Sequence, residues 1–291
     1  MSVCDIAVVG ATHWDIVGTS SETFTVGEDK PGIIRQNPGG VAFTVAAALT
    51  HFNIQASLIS AVGEDKPGER LLRSVSAAGI AASSILTNPV CHTDQYLAIE
   101  DQTALVAAIA DCRCLEESEP QLFARLRNWL NERNNRRVRI VLDGNLSGQF
   151  LNRVLTLRRQ HGFVLANIAA SPNKSSHIIQ LAGQSDATIY LNAAEAAQIC
   201  GYAGRLDSRA AAESLLRLGF GHVVVTDAYR AATEGSRSGL VSAAPLRPLA
   251  AGVTGAGDRF AAAHLAAGIN GVPRKQALKL AHDFAANGNN E

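Results

Sequence analysis

Apolar and polar positions change period several times along the chain, and each change predicts an element. Asp5-Ile6-Ala7-Val8-Val9-Gly10 is an unbroken apolar run closed by glycine, the pattern of a strand buried on both faces of a parallel sheet. Comparable runs at Ala56 to Val62, Val138 to Asp143, Phe163 to Ile168, Ala187 to Leu191 and His222 to Thr226 predict further strands of the same kind. The stretches between them carry helical periodicity. Helices are expected over Val41 to Leu49, from about Pro67 to Ala78 with Gly79 as the stop, and over 119–133, 147–160, 174–183, 193–200 and 207–218. Pro67 suits a first helical turn. An alanine-rich run from Arg259 to Ala267 predicts a last helix, with Gly268 placed as its stop. Regular alternation of strands and helices argues for an α/β/α sandwich around a mainly parallel sheet with right-handed crossovers.

Two stretches break that rhythm. Residues 20–38 are rich in Thr, Gly, Asp and Pro, with short alternations and no helical period. Tyr96-Leu97-Ala98-Ile99 and Ala104 to Ile109 flank Glu100-Asp101-Gln102-Thr103 and read as a β-hairpin. Together these stretches predict a small sheet outside the main body, a discontinuous lid of about 16–38 and 91–111 on a single domain spanning 1–291. Such a cover suits a site that must exclude water.

Composition narrows the class. With 291 residues and 47% apolar content, the chain can bury one large core. Acidic and basic residues balance at 26 each, so no overall field draws in nucleic acid or an acidic membrane surface. The arginines between Arg133 and Arg139 read as a solvated helix end and loop. The first ten residues lack the basic start and cleavage site of a signal peptide, and no apolar stretch is long enough to span a bilayer. The five cysteines are scattered, without CxxC or zinc spacing, so reduced thiols in a cytoplasmic protein are expected.

Candidate chemistry concentrates at predicted strand ends and helix starts. Gly255-Ala256-Gly257-Asp258 opens the alanine-rich helix. Its glycines let backbone N–H groups face one concavity, where the helix dipole also favours an anion. A carboxylate beside such an anion site suits a general base that takes a proton from a hydroxyl during phosphoryl transfer. The plainer alternative is a tight turn with Asp258 as N-cap. Asp15 is expected at the C-terminal edge of the first strand's sheet, where ligands gather in open α/β folds. Gly39-Gly40 precedes a helix and offers a second backbone cradle, for a substrate hydroxyl or ring, or else ordinary close packing. Asn192 can cap the helix that follows it with Glu195 at N3; the same carboxylate could serve the water shell of Mg²⁺. Thr226-Asp227-Ala228 follows a strand and is expected beside the Gly255 loop, or is a surface turn. His264 is expected to be a core or surface residue.

Taken together, these residues resemble the ribokinase-like (PfkB) family of carbohydrate and nucleoside kinases over nearly the whole chain. The resemblance rests on Asp15, Gly39-Gly40, the segment from Ala61 to Gly68, Asn192-x-x-Glu195 and Gly255 to Asp258, in that order. Within the family it is similar to the pseudouridine kinases, through residues Asp29 to Val41, the hairpin from Thr93 to Asp111, and Asp143 to Ser147. The resemblance implies ATP-dependent phosphorylation of a hydroxymethyl group on a ribose-containing nucleoside, foremost pseudouridine to its 5′-phosphate. It implies Asp258 as base, Gly255, Ala256 and Gly257 as the anion hole, and Asp15, Gly39, Gly40 and Thr44 at the substrate. Asn192, Thr226, Asp227, Ala228, Gly255 and Gly257 would then hold the nucleotide, with Glu195 toward Mg²⁺. A homodimer through the lid is also implied. Some positions depart from the pattern: Thr44 stands for an asparagine and Phe43 for an arginine. Ala228 and Ala231 stand for glycines, Arg259 for a small residue, and Gly252 for an aspartate linked to monovalent cations. These leave open a kinase of a free sugar, a non-catalytic ligand-binding member, and whether a monovalent cation assists.

Overall fold

The computed structural model describes residues 5–102, 105–133, 137–245 and 255–287. Expectations attached to residues 1–4, Thr103, Ala104, Arg136 and Gly252 fall outside the described residues.

The first half of the chain runs β1 (Asp5–Val9), β2 (His13–Thr19), β3 (Ile33–Gly39), α1 (Val41–Thr50), β4 (Ala56–Gly63), α2 (Lys66–Ala77), β5 (Ile85–Asn88), β6 (Gln95–Glu100), β7 (Leu105–Asp111) and α3 (Arg113–Asn131). The second half continues with β8 (Val138–Asp143), α4 (Gly148–His161), β9 (Val164–Ile168), β10 (Thr188–Asn192), α5 (Ala193–Ile199), α6 (Ser208–Arg217), β11 (His222–Thr226), β12 (Ala232–Ser236), β13 (Gly239–Ala243), α7 (Ala256–Ile269) and α8 (Arg274–Asn287).

A nine-stranded sheet has the order β13-β12-β11-β10-β9-β8-β1-β4-β5. Its strands from β11 through β5 pair in parallel, and β12 and β13 close one edge as an antiparallel hairpin. The apolar runs bury both faces, as expected of a sheet sandwiched between helices. Ile6 and Val8 of β1 face one core with α1, α2, α7 and α8, while Ala7 and Val9 face the other with α3, α4 and α6. The second sheet, β3-β2-β6-β7, is four-stranded and mixed, with β2 and β6 parallel. Asp94 fastens the base of its β6–β7 hairpin: its carboxylate accepts from the Cys114 and Leu115 amides at 2.8 and 3.0 Å, capping α3 from outside the helix. Burial pushes the Asp94 carboxyl up to about 6, against those two amides and the nearby His13.

The expected α/β/α arrangement with a separate small sheet is therefore present, with several local corrections. Helix α3 starts at Arg113 rather than 119 and carries Pro120 inside it, because its first turns bury Cys114, Leu115 and Ser118 on the same face as Leu122. The stretch 174–183 forms two short 3₁₀ segments, Pro172–Lys174 and Ser176–Leu181, that bury Ile178 and Leu181 without completing an α-helix. Gly268 does not stop the last alanine-rich helix. That helix continues to Ile269, and the left-handed residue is Gly271 at φ 72°. Strand β5 and the β12–β13 hairpin carry weak apolar patterns and are absent from the sequence expectation. The expectation of reduced thiols is also corrected. The β6–β7 reversal brings Cys91 and Cys114 to a Cα separation of 5.3 Å, and their sulfurs are joined as a disulfide. No helix among the described residues is long and apolar enough to cross a membrane.

Candidate active site

A cavity of about 750 Å³ opens at the C-terminal edge of the parallel strands, with the four-stranded sheet along one side. Its walls come from the ends of β9, β10 and β11, the starts of α1 and α7, the inner face of the small sheet, and α8. This is where an open α/β sheet leaves room for ligands.

Asp258 lines this cavity. Gly255 is the N-cap of α7, in a left-handed conformation at φ 75° that glycine adopts without steric cost, and no side chain caps the helix. Asp258 is therefore at N3, which corrects the alternative that it is the N-cap. The first helical bond is made by the Arg259 amide to the Gly255 carbonyl at 3.0 Å. By helix geometry the amides of Ala256, Gly257 and Asp258 precede it and remain available to an anion. Asp258 is shifted upward to about 8, first by burial and then by the Asp143, Glu195 and Asp15 carboxylates, with Arg259 opposing. Three carboxylates that raise a fourth mark a site short of positive charge.

One end of the cavity adjoins the small sheet. Asp15 lies within β2, in that sheet rather than at the edge of the first strand's sheet as expected, because the chain turns away after Gly10. Its carboxylate contacts His13 Nδ1 at 3.2 Å. Burial acts to lower the His13 pKa, but Asp15, Asp143 and Asp94 together hold it above the ordinary value. Gly39 does not line the cavity: a side chain there would occupy the space taken by the Asp15 carboxylate, so its role is to admit Asp15. Gly40 and Thr44 do line the cavity, and the Thr44 methyl lies 3.5 Å from where a Gly255 side chain would begin.

Asp143 and Asn145 were singled out in the sequence only through resemblance. Asp143 is 1% exposed and accepts from the Ala11 amide at 2.8 Å, the Asn145 amide at 2.8 Å and Asn145 Nδ2 at 3.0 Å. With Nδ2 directed to Asp143, Asn145 has its Oδ1 to offer a ligand as a hydrogen-bond acceptor. A buried strand ending in Asp-Gly-Asn was the available signal.

At the other end, Asn192 and Glu195 form a full capping box. Asn192 Oδ1 accepts from the Glu195 amide at 2.9 Å, and Glu195 Oε2 from the Asn192 amide at 2.7 Å. Burial pushes Glu195 up to about 7, against the two Asn192 contacts. Both the capping reading and a place on the cavity wall hold for this pair. Thr226 and Ala228 also line the cavity, but Asp227 does not: its buried carboxylate turns to Arg205 at 3.1 Å and Arg230 at 3.6 Å. Ala228 adopts φ 50°, whereas Ala231 is not among the positive-φ residues, so only the first of the two alanines carries the backbone penalty. Ala228→Gly is expected to raise stability by up to about 1 kcal/mol, read as a higher denaturation midpoint. A midpoint unchanged or lowered would show that Ala228 is unstrained.

Among the described residues no group of three or more His, Cys, Asp or Glu side chains could hold a metal ion by itself. Mg²⁺ is commonly bound through a nucleotide's phosphates and one or two carboxylates. Glu195, with one oxygen outside the capping box, is suited to that part.

A family model described as pfkB family carbohydrate kinase matches residues 4–287. Pseudouridine kinase of Escherichia coli (strain K12) is 26% identical over 289 residues, 95% of this chain and 87% of that protein. An uncharacterized sugar kinase of the same strain, YeiI, is 35% identical over 154 residues, 52% of this chain and 41% of that protein. Among solved structures, a carbohydrate kinase from Agrobacterium tumefaciens superposes with a TM-score of 0.78 at 26% identity, covering 97% of this chain and 90% of that one. Adenosine kinase from Sinorhizobium meliloti shares the fold, with a TM-score of 0.76 at 16% identity over 98% and 93% of the two chains. With the Gly255–Asp258 loop lining the cavity and the family pattern running through the chain, the protein belongs to the pfkB family of carbohydrate kinases and is an ATP-dependent kinase.

Proposed function

We propose that the protein phosphorylates a hydroxymethyl group of a ribose-containing nucleoside, foremost pseudouridine to pseudouridine 5′-phosphate, with ATP as donor and Mg²⁺ as its companion ion. The observation that carries the reading is a single cavity with two chemically different ends meeting at Asp258. Toward the small sheet lie Asp15, His13, Asn145 and Tyr96; toward α5 and α8 lie Asn192, Glu195, Thr226 and His282. The first end suits a polyhydroxylated phosphoryl acceptor, the second a nucleotide. The similarity to the Escherichia coli pseudouridine kinase directs the choice of nucleoside.

In this mechanism Asp15 and Asn145 orient the sugar hydroxyls, accepting hydrogen bonds from them. The Asp258 carboxylate takes the proton of the attacking hydroxyl. That oxygen bonds to the γ-phosphorus in line as the bond to the ADP oxygen breaks. The amides of Ala256, Gly257 and Asp258 hold the charge on the transferring group. Glu195 would stand toward a Mg²⁺ bound with the nucleotide, which would supply charge neutralisation there. The small sheet excludes water from the acceptor. Cytoplasmic residence belongs to the proposal, since ATP is the donor.

A coupled ADP-release assay across pseudouridine, uridine, adenosine, ribose and fructose tests the substrate. Turnover on a free hexose with none on nucleosides would overturn it in favour of a free-sugar kinase, the reading that the partial similarity to YeiI supports. The small sheet also exposes apolar side chains, Ile34 at 79% and Ile109 at 68% among them. An apolar exposed sheet face favours a partner, and we propose a homodimer through it. Ile109→Asp is expected to shift the sedimentation of such a dimer to that of a monomer; a monomeric wild-type protein would refute the pairing.

A further inference from the structure

We propose that Lys174 determines phosphoryl-acceptor specificity by donating a hydrogen bond to a ring carbonyl oxygen, so that the site favours nucleosides with diketopyrimidine-type bases over a bare pentose. This inference rests on the nucleoside reading above and deepens it. Lys174 is the one lysine or arginine among the described residues lining the cavity. It ends the short 3₁₀ segment after β9, at the same sheet edge as Asp143 and Asn145.

Its position relative to the base is fixed by the two faces of the main sheet. Lys174 Nζ contacts Glu116 Oε1 of α3 at 3.5 Å, and α3 packs on one face. Asp258 begins α7, which packs on the opposite face. The Asp143–Asn145 turn ends β8, a strand of the sheet between those two faces, and Asn145 lines the same cavity as Lys174 and Asp258. A molecule whose hydroxyl reaches Asp258 and whose sugar lies against Asp15 and Asn145 therefore extends its far end toward Lys174.

The chemistry of that far end is specific. Leu105, Ala110, Cys112 and Ile168 supply apolar wall, with the Tyr96 ring beside them, which suits a flat ring and not a further set of hydroxyls. An ammonium carries three donors and no acceptor. It is satisfied by a carbonyl oxygen and opposed by an amino group turned toward it. The Glu116 partner is 54% exposed, and a water-screened pair of this kind contributes little, so the ammonium can exchange it for a ligand.

The test compares substrates within one variant. Lys174→Met keeps the stem and removes the charge. The ratio of kcat/KM for pseudouridine or uridine to that for free ribose is expected to fall roughly ten- to hundredfold, the weight of a hydrogen bond from a charged donor. Calorimetry without nucleotide should show Kd for the same nucleosides rising by a similar factor, and Lys174→Arg should recover most of it. A ratio within twofold of wild type, or a parallel fall for nucleoside and ribose, would overturn the role of Lys174 while leaving nucleoside phosphorylation standing. A wild-type protein that turns over ribose and no nucleoside would overturn both.

Discussion

Asp258→Asn is expected to lower turnover by about 10²–10⁴-fold while making the protein more stable at neutral and alkaline pH. The rate follows from removing the group that takes the hydroxyl proton, with the amides of the α7 start left in place. The stability follows from linkage. The Asp258 carboxyl titrates near 3.8 when exposed and at about 8 in the fold, raised by burial and three neighbouring carboxylates. The folded state then binds more protons than the unfolded one between those values, so wild-type stability falls as pH rises through that window. Asparagine cannot ionise and escapes the penalty. Its advantage should be absent near pH 3 and grow to on the order of a few kcal/mol by pH 8, in the protein without nucleotide. The same titration gives kcat/KM of the wild type a rising limb that levels off above about pH 8. Rates and melting curves for both proteins at pH 6 and pH 8.5 check this. A variant retaining more than about a tenth of the wild-type rate would contradict the base assignment. One that melts lower at pH 8.5 would contradict the burial argument.

Glu234→Ala should have the largest effect on stability, about 3–5 kcal/mol. Glu234 is 3% exposed on β12 and gathers three elements. One oxygen meets His222 Nε2 of β11 at 2.7 Å and Arg274 Nε of α8 at 2.8 Å, and the other meets His264 Nε2 of α7 at 3.3 Å. His264 in turn contacts the buried Tyr190 hydroxyl at 3.2 Å. Burial alone would raise the Glu234 carboxyl, but the His222 and His264 contacts overcome it and hold the group well below the usual carboxylate range. A carboxylate depressed in the fold stabilises fully above its unfolded value of 4.5, and that contribution is lost as pH falls toward the folded one. The gap between wild type and variant should therefore be widest above pH 5 and narrow in acid. Near neutral pH the melting temperature should drop by roughly 10 °C for a chain of this size. A fall under about 2 °C would show that Arg274, which also donates to the Glu234 and Gly239 carbonyls, holds the hairpin without the carboxylate.

What the sequence determined by itself was whatever short-range pattern records. Buried parallel strands are apolar on both faces, so β1, β4, β8, β9, β10 and β11 were legible as unbroken runs, and helix starts at Gly40 and Gly255 as glycine pairs. The capping box at Asn192 and Glu195 is a local spacing and was legible for the same reason. Tertiary structure decided everything that depends on which element meets which. Asp15 joined the small sheet because β2 pairs with β3 and β6 rather than with the parallel strands. Asp227 was drawn from the cavity to Arg205, a partner distant in sequence. Gly39 proved to be room for a carboxylate, which only the close approach of Asp15 reveals. The Cys91–Cys114 bond exists because a hairpin folds its own ends together. The raised pKa of Asp258 comes from burial and from carboxylates on β2, β8 and α5, and no spacing along the chain encodes that sum.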